Sequence, residues 1–310
     1  MRIVFMGTPE FSVPILESLI DKHDVVLVVT QPDKLVGRKQ LLVSSEVKKC
    51  ALERGIPVFQ PVKIKDDYQA VLEAKPDIII TAAFGQFIPK VILDYPRLGC
   101  INVHGSLLPK YRGGAPIQKS IINGECETGI SIMYMASRMD AGDIIAQRSI
   151  PILDSDDNGS MFKKLSTLGR DLLNEVLPSI IDGTNNKTPQ DETKVTYSYN
   201  ITHEEQFIDW NKSAREVFNQ VRGLSPNPTA LTSINQTVIK IYEAKVVDTE
   251  LTGKPGEVLS LNKELVVACG SGAISILTLQ VSGKNKMDVK SFLNGQKILY
   301  VGSVLENNII

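Results

Sequence analysis

Compact apolar runs alternate with stretches of helical period over the first 150 residues, and few folds accommodate that pattern. The runs are Arg2 to Met6, Val25 to Thr30, Asp77 to Thr81 and Cys100 to Val103. Strands that stay apolar along their length are covered on both faces, and the segments between them supply the covering helices. Pro9 to Ile20 carries Phe11, Ile15, Leu16, Leu19 and Ile20 at helical spacing. Ser45 to Arg54 reads as a helix with Ser45 as its N-cap. The pattern predicts a doubly wound α/β domain on a parallel sheet. Ligands of such domains sit beyond the carboxyl ends of the strands.

Further along, two extended runs between Gly129 and Pro151 flank Asp140-Ala141-Gly142-Asp143 and predict a hairpin or a bent strand pair. A long amphipathic helix follows, with Met161, Leu165, Leu168, Leu172, Val176 and Ile180 as its stripe. The chain then turns polar and turn-rich, and residues 190–207 are read as a linker between domains at 1–189 and 208–310. The last part opens on a helix from Ser213 to Arg222. It continues in short β-like runs: Ala230–Thr232, Val238–Tyr242, Glu257–Leu261, Leu265–Ala268 and Ile274–Gln280. Short strands at regular spacing predict a small barrel.

The 310 residues carry a net charge of −1, so any nucleic-acid partner must be met by a local basic patch. No apolar run approaches the roughly 18 residues of a membrane span. The amino terminus reads as a strand instead of a signal peptide, and a cytoplasmic location is expected. Cys50, Cys100, Cys126 and Cys269 form no Cys-x-x-Cys pair and have no histidine at metal-ligand spacing, so reduced thiols and no metal are expected. His23 lies in a charged turn and His203 in the linker, which leaves His104 as the candidate for proton transfer near neutral pH. Gly7-Thr8-Pro9-Glu10 after the first run holds one glycine, not a dinucleotide fingerprint. It is either a tight turn opening a helix or a set of backbone amides for an anion.

Asn102 and His104 close the apolar run Gly99-Cys100-Ile101, before Gly105 and Pro109 end the strand. Residues two apart on a strand share a face. An amide donor beside an imidazole suits addition to a carbonyl: one group steadies developing negative charge, the other exchanges a proton. The same pair could simply satisfy backbone groups of the following loop.

The run from Asn102-Val103-His104-Gly105-Ser106-Leu107-Leu108-Pro109 through Lys110-Tyr111-Arg112-Gly113-Gly114-Ala115-Pro116 resembles the signature of folate-dependent formyltransferases. Asp140-Ala141-Gly142-Asp143 resembles that family's second motif. Four further stretches are similar to the branch acting on methionyl-tRNA: Phe5-Met6-Gly7-Thr8-Pro9-Glu10-Phe11, Pro32-Asp33-Lys34 with Gly37-Arg38-Lys39, Asp209-Trp210, and Val221-Arg222-Gly223-Leu224-Ser225-Pro226 with the residues that follow.

The resemblance implies a Rossmann-like catalytic domain followed by an oligonucleotide-binding (OB-like) barrel. It implies formyl transfer from 10-formyltetrahydrofolate to the α-amino group of methionine on initiator tRNA, by a protein expected to act as a monomer away from membranes. Asn102, His104 and Asp140 would be catalytic, with Asp143 the competing carboxylate. Ser106, Leu107, Leu108 and Pro109, with Phe84, Gly85, Gln86 and Phe87, would bind the folate. Arg38 and Lys39, with Lys284, Lys286 and Lys290, would meet the tRNA. Gln40 and Val43 depart from the more basic or proline-rich loop of relatives, and acids such as Asp288 dilute the charge around the barrel lysines.

Other readings remain open at this stage. A formyltransferase of a small amine, such as an amino sugar or glycinamide ribonucleotide, would share Asn102, His104 and Asp140. A hydrolase of the formyl folate would put water in place of the amine. A noncatalytic RNA-binding protein would need only the barrel. A dehydrogenase is disfavoured by the single glycine after the first strand.

Overall fold

The computed structural model describes residues 1–37 and 40–307, in two compact units. Unit 1 comprises Met1–Pro116, Glu127–Pro151 and Phe162–Tyr199; unit 2 comprises Ile117–Cys126, Ile152–Met161 and Asn200–Ile310. The segment 190–207 therefore divides, with residues through Tyr199 in unit 1 and those from Asn200 in unit 2.

From the amino terminus the elements are β1 (Arg2–Gly7), α1 (Val13–Ile20), β2 (Asp24–Val29), β3 (Lys34–Val36), β4 (Leu41–Val43), α2 (Glu46–Glu53), β5 (Val58–Phe59) and α3 (Gln69–Glu73). There follow β6 (Ile78–Ala82), α4 (Lys90–Leu93), β7 (Cys100–His104), α5 (Pro116–Ile122), β8 (Glu127–Tyr134), β9 (Ile144–Pro151) and α6 (Asn158–Ile181). Ser45 caps α2, its hydroxyl accepting from Lys48 N–H. Seven strands form one sheet in the order β5-β2-β1-β6-β7-β8-β9. Neighbours run parallel from β5 to β7. β8 and β9 add antiparallel, so the hairpin read around Asp140–Asp143 extends the same sheet and makes it mixed.

The parallel strands are apolar throughout because both faces are covered; every residue of β6 is buried. Val4, Met6, Leu27, Val29, Ile79 and Cys100 build the core of one face with Phe84, Ile88 and Ile92. On the other face Val103 and Ile130 meet α6 at Gly169, where a Cβ would stand 2.8 Å from Val103 Cγ1. The pleat of β7 is thereby fixed. Ile101 and Val103 alternate with Cys100, Asn102 and His104.

β1 has β2 on one side and β6 on the other, so the winding reverses there. The loops beyond this switch point are tied together. Thr8 Oγ1 and Gln31 Nε2 both donate to the Phe84 carbonyl, at 3.0 and 3.1 Å, and Ser12 Oγ donates to Ala82 O at 2.6 Å. A Cβ on Gly7 would lie 2.9 Å from Ala82 O, so that glycine serves close packing against the loop after β6.

Unit 2 contains α7 (Ala214–Leu224), β10 (Ala230–Ile234), β11 (Thr237–Val247), β12 (Val258–Ser260), β13 (Leu265–Ala268), β14 (Ala273–Val281), β15 (Met287–Asp288) and α8 (Val289–Gly295). Ser213 and Glu216 form a reciprocal capping box that starts α7. The antiparallel sheet runs β10-β11-β14-β13-β12, with β15 on β14. Residues 302–306 then join its two edges. Gly302 N donates to Val258 O, Val258 N to Ser303 O and Leu305 N to Gly256 O beside β12, while Glu306 and Ser233 exchange both backbone bonds beside β10. The curled sheet is thus closed by the last described segment, around Trp210, Ile241, Val267, Ile276 and Leu279.

Candidate active site

Polar side chains replace apolar ones where β6 and β7 end. Along the shared face, Ile79 gives way to Thr81, and Cys100 to Asn102 and then His104. Thr81 Oγ1 lies 2.7 Å from Asn102 Oδ1. With its oxygen occupied, Asn102 turns its Nδ2 group away from Thr81, and that group has no protein partner among the described residues. An amide N–H held this way is a ready donor to an oxygen that becomes negative.

His104 is 6% exposed. Its Nε2 lies 2.9 Å from the Tyr111 carbonyl, which can only accept, so Nε2 carries the proton of the neutral ring. Nδ1 faces Asp140 Oδ2 at 3.7 Å. This spacing is longer than a hydrogen bond and leaves Nδ1 as the ring atom directed at the carboxylate. Asp140 takes a left-handed conformation, φ 48°. Its Oδ2 accepts from Gly113 N–H at 2.8 Å. Asp143 is elsewhere engaged, 3.2 Å from Lys187 Nζ, so of the two carboxylates Asp140 is the one brought to the imidazole.

The 106–109 loop is held by side chains that the sequence reading did not single out. Ser131, opposite His104 on β8, donates to Ser106 O at 2.6 Å and accepts from Leu108 N–H at 3.0 Å. Gln147, opposite Ser131 on β9, donates to Ser131 Oγ at 2.7 Å and to Leu108 O at 2.8 Å. Ser106 Oγ donates to Lys110 O at 2.7 Å. Leu108 is buried and Leu107 leans on β8 near Gly129. A serine and a glutamine at alternate strand positions look like ordinary sheet polarity, so only the strand pairing reveals the knot.

The other expected folate residues separate. Phe84 is in the apolar core, its carbonyl taken by Thr8 and Gln31. Gln86 is used as a clamp, its Oε1 accepting from Ile64 N–H at 2.7 Å and its Nε2 donating to Pro61 O at 3.1 Å. Gly85 takes φ 83°, and Phe87 is 64% exposed. Of this stretch, Phe87 is the residue that offers a free ring face.

Among the described residues Arg112 is the largest side chain that is fully buried. Its backbone pairs with Thr196 and Ser198. Gly113 comes so close to this segment that a Cβ would lie 2.6 Å from Ser198 O. The close backbone approach that Gly113 permits is to the chain itself. Ser198 Oγ donates at 3.0 Å to the Tyr111 carbonyl that also binds His104, and Thr196 Oγ1 accepts from Tyr111 N–H at 2.9 Å. Arg112 also holds Glu192 at 3.0 Å, and this guanidinium keeps the Glu192 carboxyl below its ordinary range.

In unit 2, Lys284, Lys286 and Lys290 are exposed around the β14–β15 turn and the start of α8. Lys286 Nζ lies 4.3 Å over the Tyr242 ring. Asp288 caps α8 by accepting from Ser291 N–H, so this acid has a local partner. Arg38 and Lys39 lie outside the described residues. No helix among the described residues is long and apolar enough to cross a membrane.

Comparison with known proteins gives these features a family. Residues 1–177 match the formyl transferase family, and residues 200–297 match the formyl transferase C-terminal domain. The methionyl-tRNA formyltransferase of Staphylococcus aureus (strain bovine RF122 / ET3-1) is 49% identical over 308 residues, covering 98% of this chain and 99% of that protein. Among solved structures, an N-formyltransferase from Helicobacter canadensis in complex with folinic acid and dTDP-3-aminofucose shares the fold (TM-score 0.68, 21% identity, 89% of this chain and 98% of that one). HypX from Aquifex aeolicus in complex with tetrahydrofolic acid does so too (TM-score 0.65, 21% identity), with 94% of this chain matching 47% of that longer one. With matches to both domains and near full-length identity to a formyltransferase, the chain belongs to the formyl transferase family.

Proposed function

We propose that this protein transfers the formyl group of 10-formyltetrahydrofolate to the α-amino group of methionine esterified to initiator tRNA. The observation that carries the chemistry is an Asn102 Nδ2 group with no protein partner among the described residues, on the same face of β7 as His104, whose Nδ1 faces the Asp140 carboxylate. The choice of acceptor is supported by the 49% identity with a methionyl-tRNA formyltransferase.

The amine lone pair adds to the formyl carbon, forming a C–N bond and a tetrahedral oxyanion. Asn102 Nδ2–H and a protonated His104 Nδ1 donate to that oxygen. One such donor is worth about 10²–10³ in rate. The nitrogen that attacked loses a proton, which Asp140 can take directly or through a water. The bond to folate N10 breaks as that nitrogen receives the proton taken up by Asp140, directly or through a water, and the carbonyl reforms. The folate is assigned to the 106–109 loop and to the stretch 84–87, where Gly85 and Phe87 are exposed. Phe84 and Gln86 shape that stretch through their packing and hydrogen bonds. Arg38 and Lys39 are assigned to the acceptor end of the tRNA, and the three barrel lysines to its phosphates.

The test is a labelled formyl transfer assay with 10-formyltetrahydrofolate and, in parallel, initiator Met-tRNA, elongator Met-tRNA and small amines. Transfer to the initiator alone is expected. Equal transfer to elongator Met-tRNA overturns the selectivity. Transfer to an amino sugar nucleotide without reaction on either tRNA overturns the choice of acceptor.

A further inference from the structure

We propose that Gln190 is a positioning residue for the reaction. It locks the 140–142 turn so that the Asp140 carboxylate meets His104 Nδ1. The inference rests on the role given to Asp140 above.

Gln190 lies in the polar stretch that sequence alone reads as linker. Its Oε1 accepts from Arg112 Nε at 3.0 Å and from Arg112 Nη2 at 2.7 Å. Its Nε2 donates to Asp140 O and to Gly142 O, both at 2.8 Å. The orientation of this amide is dictated by chemistry. A guanidinium has no acceptor, so the amide oxygen must face Arg112, and the NH₂ must face two carbonyls. Both protons and both lone pairs are used.

These bonds close a ring. Arg112 grips Gln190, Gln190 grips the Asp140 carbonyl, and the Asp140 carboxylate accepts from Gly113, the residue bonded to Arg112. Asp140 thus has its main chain and its side chain held from opposite directions, in a left-handed conformation that a non-glycine residue adopts at a cost. The turn cannot relax by sliding towards β8. Gly142 already sits where a Cβ would come within 1.8 Å of Tyr134 O. The ring is anchored at both ends of the 188–198 segment. Thr188 and Ile144 exchange backbone bonds at 2.8 Å, and Ser198 pairs with Arg112. Arg112 is 1% exposed and would be an unpaired buried charge without Gln190 and Glu192.

Gln190 touches none of the reacting atoms. Loss of its two N–H donors should let the turn drift, and a displacement of about 1 Å at a catalytic group can cost up to roughly 10² in rate. The experiment uses the full chain with 10-formyltetrahydrofolate and initiator Met-tRNA. Gln190→Glu keeps the grip on Arg112 but sets a carboxylate against the Asp140 and Gly142 carbonyls. Gln190→Met is neutral and of similar length, and it decides the matter if the half-buried carboxylate prevents folding.

In either variant kcat should fall roughly 10- to 100-fold, while KM for both substrates stays within about twofold. In an Asp140→Asn background the same change should cost less than about twofold more, because the group being positioned is already gone. A rise in KM at constant kcat, parental turnover in both variants, or losses that multiply in the double variants would each overturn the proposal. Parental turnover in Asp140→Asn alone is a separate result; it removes Asp140 from the chemistry and the proposal with it.

Discussion

Asn102 and His104 are held by a strand, whereas Asp140 is held by a clasp of distant polar side chains. β7 lies between β6 and β8, and its pleat turns both residues to one face. Their remaining orientation needs only Thr81 and the Tyr111 carbonyl. Asp140 has no such frame. It sits in a loop, at φ 48°, and depends on Gly113, Gln190 and, behind them, Arg112. A sheet gives position through repeated backbone bonds. A loop must obtain it one side chain at a time, with every buried polar group accounted for.

The strand side of this contrast should give chemistry that can be removed without loss of fold. Asn102→Ala leaves Thr81 the Ile101 carbonyl at 3.2 Å, and His104→Ala leaves the Tyr111 carbonyl with Ser198 Oγ. Each variant is expected to lose at least about 10² in kcat while its unfolding free energy changes by less than about 1 kcal/mol. Steady-state kinetics and urea melts on the same samples check this. Collapse of the fold in either variant would show that the strand-borne pair is structural and would erase the contrast.

Ser131→Ala probes the loop side without touching a reacting group. Its hydroxyl serves Ser106 O, Leu108 N–H and Gln147 Nε2 together, all buried or half-buried. Removing it strands a donor and an acceptor of the 106–109 loop, which costs about 1–3 kcal/mol. The urea midpoint should fall accordingly, and KM for the folate should rise more than kcat falls. An unchanged midpoint would mean that the loop keeps its shape from the apolar packing of Leu107 and Leu108 alone.

How much the sequence discloses follows the same division. The apolar runs, the helical stripes and the Asn102–His104 spacing are local patterns, and the sheet, its helices and the strand-end pair are legible from them. Asp140 needed a family motif, because nothing in Asp140-Ala141-Gly142-Asp143 tells which carboxylate turns inward; Lys187, far along the chain, takes Asp143 away. The stretch 190–207 has no apolar period, so it reads as linker, yet its part up to Tyr199 belongs to unit 1 and carries bonds that shape the site. Gln190 acts on residues about 50 and 78 positions away, a separation no local pattern records. The partners of Gln86 are equally hidden from local pattern. It lies in a stretch assigned to ligand, but Ile64 and Pro61 consume its amide.

The smallest expected effect lies in the β3–β4 hairpin, a second region whose base is secured by side chains. Leu35, Leu41 and Leu42 are 60–66% exposed, so little apolar burial holds the strands in place. Asp33 at the base accepts from Lys48 Nζ at 2.7 Å, from Gln60 Nε2 at 2.8 Å and from Ser44 Oγ at 3.2 Å. Lys48, Gln60 and Ser44 hold the Asp33 carboxyl below its ordinary range. A carboxyl lowered by folding stabilises fully above its ordinary ionisation range, and that contribution is lost as pH falls through the lowered value. Acid should therefore loosen the hairpin before the parallel sheet. Amide exchange, corrected for the intrinsic effect of pH, should show protection falling first in Lys34–Val36 and Leu41–Val43 while Ile78–Ala82 stays protected. Asp33→Asn should give the same selective loss at neutral pH. If acid and Asp33→Asn both leave the hairpin amides as protected as before, its cross-strand bonds suffice, and it belongs with the strand-held half of the molecule.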